Sequence, residues 1–557
     1  MEVNKMKGVA VVRFSSLPQL LTIIFLHFSA VGSYSVAVME FAVNLNFSQP
    51  ASKVLEDNTI NYIKLIEQAK NQSAVLDLIV FPEATLSPYF AAIQSAAALP
   101  PDYGSFILCN STEGSYAQFL KNLSCAAIDY NTTVVINFTE KEVCQSDQDC
   151  SKSEDYKFYN TVVAFGTNGS ILARYRKWNL FGERGKSRPT SLDLPVLHIA
   201  NTTFGIMTCF DIQFGIPAFN LTKDKGVKNV IFPLQWIGEL PYLTALQIQQ
   251  MWAQEMNVVL LASGANLPQS GAGGSGIFVA GHGPIEHDVL PERGTKLMIQ
   301  TVPNDSEEFN ISYGAPNVDI IDQLALSLDS FYLLVDPSIK DHKSVLLNTS
   351  ATGSSQHVVC HGEDDRNVLC CNFNTSITLN STSIAGNAYA YHLVAFNGVR
   401  TYSGVYYGGV ETCGVVACLN QSVDSCGQRF SNYSEISWPV IFNFINITGN
   451  FSQSKQRFQL PTTLLSSMRP LTTMEYNWRG VAVDEKTLTR NIELNEPQSR
   501  LLTFGIFGRD FKRDWDPISN DTGNLSRDAD DSNGKSVPQS TISVVLLWVV
   551  CIALRWF

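Results

Sequence analysis

Between residues 34 and 263 the chain keeps switching between two hydrophobic periods. "YSVAVMEFAV" (34–43), "LDLIVFPE" (76–83), "TTVVINF" (132–138), "FYNTVVAF" (158–165) and "ILARYRK" (171–177) read as strands, as do "TFGIMTC" (203–209), "KNVIFP" (228–233) and "NVVLLAS" (257–263). Between them, "VLEDNTINYIKLIEQAK" (54–70) sets Leu55, Tyr62, Ile63, Ile66 and Ala69 on one helical face, and "LTALQIQQMWAQEM" (243–256) suits a second helix. Strands alternating with helices restrict this segment to an α/β layered domain. In such folds, sites gather at the carboxyl ends of strands. Glu83, Lys177 and Cys209 all stand at such ends.

From about residue 318 the texture changes. "SFYLLVD", "AYHLVAFNGVRTYSGVYYGGV" and "WPVIFNFINITGNF" are strand-like, with Asn397-Gly398 as a hairpin-turn signal. The reading is a first domain over 34–315 and a β-rich second domain over 316–510. Past Phe511 the polar run to about 534 reads as a charged, flexible stalk.

Both ends carry addresses. Lys5, Lys7 and Arg13 precede "LPQLLTIIFLHFSAVGS" (17–33), the layout of a signal peptide cleaved near Ser33, here assigned to 1–33. At the far end the small residues Ser532, Asn533 and Gly534 precede a polar spacer and an apolar tail. That order reads as a glycosylphosphatidylinositol signal, with 535–557 as the removed propeptide. The alternative is a short true anchor helix; either way the protein is expected on the extracellular face of the cell membrane. Sequons at Asn46, Asn71, Asn110, Asn122, Asn131, Asn137, Asn201, Asn220, Asn348, Asn374, Asn446 and Asn450 fit a glycosylated ectodomain. The formal charge of −12 argues against nucleic acid or an anionic membrane face as partner.

Of the 12 cysteines, Cys551 lies in the tail. The rest are an odd set: Cys109, Cys125, Cys144 and Cys150; Cys209; and Cys360, Cys370, Cys371, Cys413, Cys418 and Cys426. An oxidising compartment favours pairing, so one thiol is left over. Cys209 stands alone between two clusters and is the expected free one; connectivity within the clusters stays open. A free cysteine at a strand end is a candidate nucleophile only with a base or a cation nearby. No histidine among the eight sits in a recognisable protease context, which disfavours a histidine-dependent cysteine hydrolase. Glu83 in "FPEATL" and Lys177 in "YRKWNLFGE" are the remaining candidates. Neither zinc-site spacing nor a phosphate-binding loop is present, and no cofactor is expected.

Together "FPEATL", "YRKWNLFGE" and "FGIMTCFDIQF" resemble, in order and spacing, the nitrilase superfamily and within it the vanin and biotinidase family. "FPLQWIGELPYLTALQIQQMWAQEMNVVLLASGANLP" and "GGSGIF" resemble the stretch after the nucleophile; "VLCCNF" and "GVRTYSGVYYGG" resemble the family's extra C-terminal domain. The resemblance implies an αββα layered sandwich with a β-rich second domain, and hydrolysis of a small linear amide through a thioester. It implies Cys209 as nucleophile, Glu83 as general base, Lys177 with the Phe210 N–H as oxyanion stabilisers, and Glu183 as an auxiliary glutamate. In that arrangement the lysine ammonium is expected to lower the thiol pKa. The family's substrates are pantetheine or biocytin, and the residues do not choose between them. One departure is Ala84, where the vanin pattern has an acidic residue. The competing reading is a non-catalytic surface protein using the same fold as a scaffold.

Overall fold

The computed structural model describes residues 3–6, 9–12, 26–27, 32–101, 103–114, 116–144, 155–304, 317–362, 368–380, 386–516 and 518. The anchor tail, Cys150 and most of the expected signal peptide and stalk lie outside them.

The expected alternation is present. Strand β1 (Ser33–Ala42) is followed by helix α1 (Ala51–Gln72), β2 (Leu78–Val80), α2 (Gln118–Asp129), β3 (Thr133–Val143), β4 (Tyr156–Phe165) and β5 (Ile171–Arg176). Then come β6 (Val196–Ile199), β7 (Thr202–Ile206), β8 (Asn229–Leu234), α3 (Ala245–Met256) and β9 (Val259–Asn266). β10 (Ser275–Val279), β11 (Gly283–Asp288) and β12 (Lys296–Pro303) complete one 12-stranded sheet. Its main path runs β5-β4-β3-β2-β1-β9-β8-β7-β6, with β1, β2, β3, β7, β8 and β9 parallel to their neighbours along that path where the crossovers demand it.

The period of two along β1 explains the layers. Ala37, Met39 and Phe41 point to one face, against Tyr62, Ile66 and Ala69 of α1 and Leu120 and Leu123 of α2. Tyr34, Val36 and Val38 point to the other face, into a core shared with Phe204, Ile206 and Phe232. There the sheet has folded over on itself: the Tyr34 and Phe204 rings lie 5.0 Å apart, and the Tyr34 hydroxyl donates to Asn229 Oδ1 at 2.7 Å. With α3 outside the second half, the order is helix, sheet, sheet, helix, as expected. Each large side chain buried between layers contributes roughly 2–3 kcal/mol.

The second domain opens with a helix where strands were expected, α4 (Val318–Ser327). It then forms two five-stranded sheets. One contains β13 (Lys343–Leu346), β16 (Ala390–Tyr402), β17 (Tyr406–Cys418), β19 (Arg457–Leu465) and β22 (Leu501–Asp510). The other contains β14 (Gly353–His361), β15 (Leu369–Leu379), β18 (Val440–Ser452), β20 (Tyr476–Ala482) and β21 (Thr487–Leu494). Asn397-Gly398 is not a turn but lies inside β16, paired with Glu411 and Val410. Gly398 is there because the Phe396 ring covers it: a Cβ would fall 2.6 Å from Phe396 Cζ. The turn is Ser403-Gly404-Val405, with Ser403 and Gly404 at φ 52° and 71°. The segment expected to be flexible from 511 stays packed at its start, where the Tyr406 hydroxyl donates to Asp514 at 2.9 Å and Trp515 meets the Tyr406 ring.

Disulfides join Cys109 to Cys125, Cys360 to Cys370, Cys371 to Cys413 and Cys418 to Cys426. Cys144 is also disulfide-bonded. Among the described residues Cys209 is the free cysteine. One expected sequon is corrected. Asn137 is only 2% exposed and both ends of its carboxamide are hydrogen-bonded inside the protein, so no glycan fits there. Asn46, Asn71, Asn110, Asn122, Asn131, Asn201, Asn348 and Asn450 are exposed; Asn220, Asn374 and Asn446 are half-buried.

Candidate active site

β7 ends at Ile206, and the chain turns sharply into one short helical turn, Cys209–Gln213. Cys209 sits at φ 47°, a left-handed backbone that costs a non-glycine residue about 1–3 kcal/mol and so must be held by its surroundings. Asp211, two residues on, holds it. Its Oδ2 accepts the Thr208 N–H at 3.1 Å and the Tyr175 hydroxyl at 2.6 Å; its Oδ1 accepts the Asn179 backbone and side-chain N–H groups at 2.8 and 2.9 Å. Burial pushes the Asp211 carboxyl up to about 6, against the pull of these donors and of Lys177.

Lys177 reaches the same place through strand alternation. Ala173, Tyr175 and Lys177 face inward and are buried, while Arg174 and Arg176 face outward and pair with Glu140, Arg176 also with Glu142. Glu83 follows β2 and is fully buried. Next to it Ala84 takes φ 54° and donates its N–H to Asn137 Oδ1 at 3.0 Å.

These groups converge. Lys177 Nζ donates to Glu83 Oε1 at 2.8 Å and to Glu183 Oε1 at 2.7 Å. Asn160 Nδ2 donates to the same two oxygens at 2.7 and 3.2 Å, and Asn137 Nδ2 donates to Asn160 Oδ1 at 2.6 Å. Glu83 Oε2 accepts the Gln235 backbone N–H at 3.0 Å. The Cys209 thiol donates to the Gln235 carbonyl oxygen at 3.5 Å, on the same residue whose N–H Glu83 accepts. Glu183 Oε2 accepts the Phe181 N–H at 2.5 Å, which ties this glutamate to its own loop.

The electrostatics differ from the sequence expectation. The Cys209 thiol is not lowered. Burial pushes it well above its ordinary range and the Glu83 carboxylate adds to this, with Lys177 offsetting only part. The reason is that two carboxylates already engage the ammonium. Burial pulls Lys177 down, but Glu183 and Glu83 outweigh it and hold the ammonium well above the usual lysine range. Burial raises Glu183 in turn, and Lys177 more than reverses that. The resting site is therefore a neutral thiol beside a carboxylate–ammonium–carboxylate cluster. Such a thiol attacks carbon only as its proton leaves for a base.

The structure thus brings Glu83, Lys177, Glu183 and Cys209 together. Sequence reasoning missed Asn137, Asn160 and the Gln235 backbone. A signal for the first two existed: an asparagine inside an apolar strand must find buried partners.

The carbon–nitrogen hydrolase family matches residues 47–267, and the vanin C-terminal domain family matches residues 331–514. Vanin-like protein 3 of Drosophila melanogaster is 33% identical over 472 residues, covering 83% of this chain and 86% of that protein. Pantetheinase of Homo sapiens is 29% identical over 439 residues, 78% of each chain. Biotinidase of Bos taurus is 30% identical over 430 residues, 71% of this chain and 74% of that one. With both domains matched in order, and a relative one-third identical across most of both chains, the chain belongs to the vanin family, amidohydrolases of the nitrilase superfamily.

Proposed function

We propose that this chain is a secreted, surface-anchored amidase that cleaves a secondary amide at the end of a small linear acyl chain, pantetheine or a biocytin-like compound, through a thioester on Cys209. The observation that carries the reading is the buried set of Cys209, Glu83, Lys177 and Glu183 at adjoining strand ends.

The steps follow from the geometry. Cys209 Sγ attacks the amide carbon while its proton passes to Glu83, the carboxylate held beside it through Gln235. The carbonyl oxygen becomes an oxyanion. An ammonium has three protons, and Lys177 uses two on Glu83 and Glu183, which leaves one for the oxyanion. The Phe210 N–H, at the start of a helical turn where backbone donors have no intrahelical partner, supplies a second donor. Each such preorganised donor contributes about 3 kcal/mol. Glu83 then protonates the leaving amine, and the C–N bond breaks to give the thioester. Water, deprotonated by Glu83, releases the acid and restores the thiol. Glu183 keeps Lys177 charged and in place. No step calls on a cofactor.

The surface location rests on the two terminal signals in the sequence. Among the described residues no helix is long and apolar enough to cross a membrane. Hydrolysis of pantetheine and biocytin side by side by the purified ectodomain tests the substrate. Activity on one of them, abolished by Cys209→Ala with secretion intact, is the expected result; full activity in Cys209→Ala would overturn the assignment. Release from cells by a phosphatidylinositol-specific phospholipase tests the lipid anchor, and retention would refute it.

A further inference from the structure

We propose that the second domain is part of the catalytic apparatus: its hairpin tip, Tyr402 to Tyr406, and Arg509 on its last strand are positioning residues that hold the turn Cys209–Gln213 in oxyanion-binding geometry. The proposal rests on the nucleophile assignment made above.

Three independent contacts carry it. The first is aromatic. The Phe210 ring, on the residue whose N–H is assigned above to the oxyanion, meets Phe181 at 4.9 Å, Phe214 at 5.0 Å, Tyr402 at 5.7 Å and Tyr406 at 5.8 Å. Two of these four rings belong to the second domain, and Tyr406 also meets Phe214 at 5.0 Å. The second is polar. Arg509 is fully buried and donates Nη1 to the Gln213 carbonyl, the last residue of the turn, at 2.7 Å. Its other donors are fixed on Gly409 O at 3.0 Å and Asp514 Oδ1 at 2.6 Å, and Asp514 also accepts the Tyr406 hydroxyl, so hairpin and arginine form one unit. The third lies across the site. Gly182, between Phe181 and Glu183, has φ 69°, and a Cβ there would fall 3.0 Å from Val405 Cγ1 at the hairpin tip. One hairpin therefore touches both the nucleophile turn and the loop carrying Glu183.

The turn needs such support. It has five residues, and its first is in a left-handed conformation that Asp211 braces from one side only. Oxyanion donors act only when held to within about 0.5 Å, and a displacement of about 1 Å costs up to roughly 100-fold in rate.

The test uses the full chain and two reactions at Cys209. The burst of p-nitrophenol from p-nitrophenyl acetate reads acylation, which needs the oxyanion donors whatever the physiological amide is. Alkylation by iodoacetamide reads the thiol and its base but needs no oxyanion donor. Tyr406→Ala is expected to slow the burst about 10- to 100-fold while alkylation stays within about 3-fold of wild type, and Tyr406→Phe, which keeps the ring, restores the burst. An unchanged burst in Tyr406→Ala overturns the proposal, and so does a parallel fall of burst and alkylation, which marks a merely structural role. Should Tyr406→Ala not fold, Tyr406→Leu is expected to show the same split at about 10-fold, and an unchanged burst there overturns it equally. Equal p-nitrophenol release by wild type and Cys209→Ala would instead refute Cys209 as nucleophile, a failure visible before any hairpin variant is compared.

Discussion

Lys177 Nζ lies 2.8 Å from the Glu83 carboxylate, and neither side chain exposes more than 1% of its surface. A lone buried ammonium would be too costly to keep charged. Here two carboxylates flank it, and removing the cation leaves them facing each other without water. Lys177→Met is expected to lower kcat at least about 1,000-fold, since both the oxyanion charge and the base's partner go. It is also expected to cost about 3–5 kcal/mol of stability, the usual penalty for breaking a buried pair. Steady-state kinetics and urea unfolding of the same preparation check both halves; a stable variant with near-normal kcat would refute them.

Asp211 gives a pH prediction with a definite sign. Its carboxyl stands at about 6 in the folded protein against an ordinary value of 3.8, chiefly through burial. Folding therefore takes up a proton here, so this group's contribution to stability is largest below about pH 4 and falls as pH rises toward 6. The whole effect is about 3 kcal/mol at most. In Asp211→Asn this falling term is absent, so stability should fall less, or rise more, with pH across that window than in wild type. The variant should also be less stable at every pH, because an NH2 group would face donors that now meet carboxylate oxygens. Melting temperatures of both proteins between pH 4 and 7 decide it; parallel curves would count against the shifted carboxyl.

The convergence of Glu83, Lys177 and Cys209 was legible because each ends an apolar strand run, and strand ends are where a layered sheet gathers side chains. Helix α1 was legible from its periodicity. What was hidden has physical reasons. Helix α4 has only ten residues and buries just Ile321 and Ala325 within them, a short stretch set directly before strand-like runs. Gln235 acts through its backbone, which no side-chain pattern reveals. The thiol's raised pKa comes first from burial and then from the Glu83 carboxylate, both a matter of packing between distant segments. Asn137 was misread because N-x-T describes a sequon equally well on a loop or inside a buried strand.

Asn137 supplies a third prediction. Its carboxamide accepts from Ala84 N–H and donates to Asn160, which in turn holds Glu83 and Glu183. Asn137→Ala should cost about 1–3 kcal/mol, from the orphaned Ala84 N–H and the loosened Asn160. It should also lower kcat through Glu83. Peptide mapping of the secreted protein should find position 137 free of glycan while exposed Asn46 or Asn71 carries one. A glycan at Asn137 would refute the buried placement.

Cys371 on β15 and Cys413 on β17 join the two sheets of the second domain across a sequence separation of 42 residues. In the chain-entropy view, closing a loop of that length in the unfolded state stabilises the fold by about 4 kcal/mol. The bond is buried, with both cysteines at 0% exposure, so mild reductant should leave it intact in the folded protein. The paired substitution Cys371→Ala with Cys413→Ala should therefore lower unfolding stability by about 2–4 kcal/mol. Because β17 also forms one arm of the hairpin ending at Tyr406, the loss should reach the active site before global unfolding does. Warming the double variant should slow acylation of Cys209 at temperatures where circular dichroism is still native. Coincident loss of acylation and secondary structure would show instead that the hairpin and the sheet that carries it melt as one unit with the first domain.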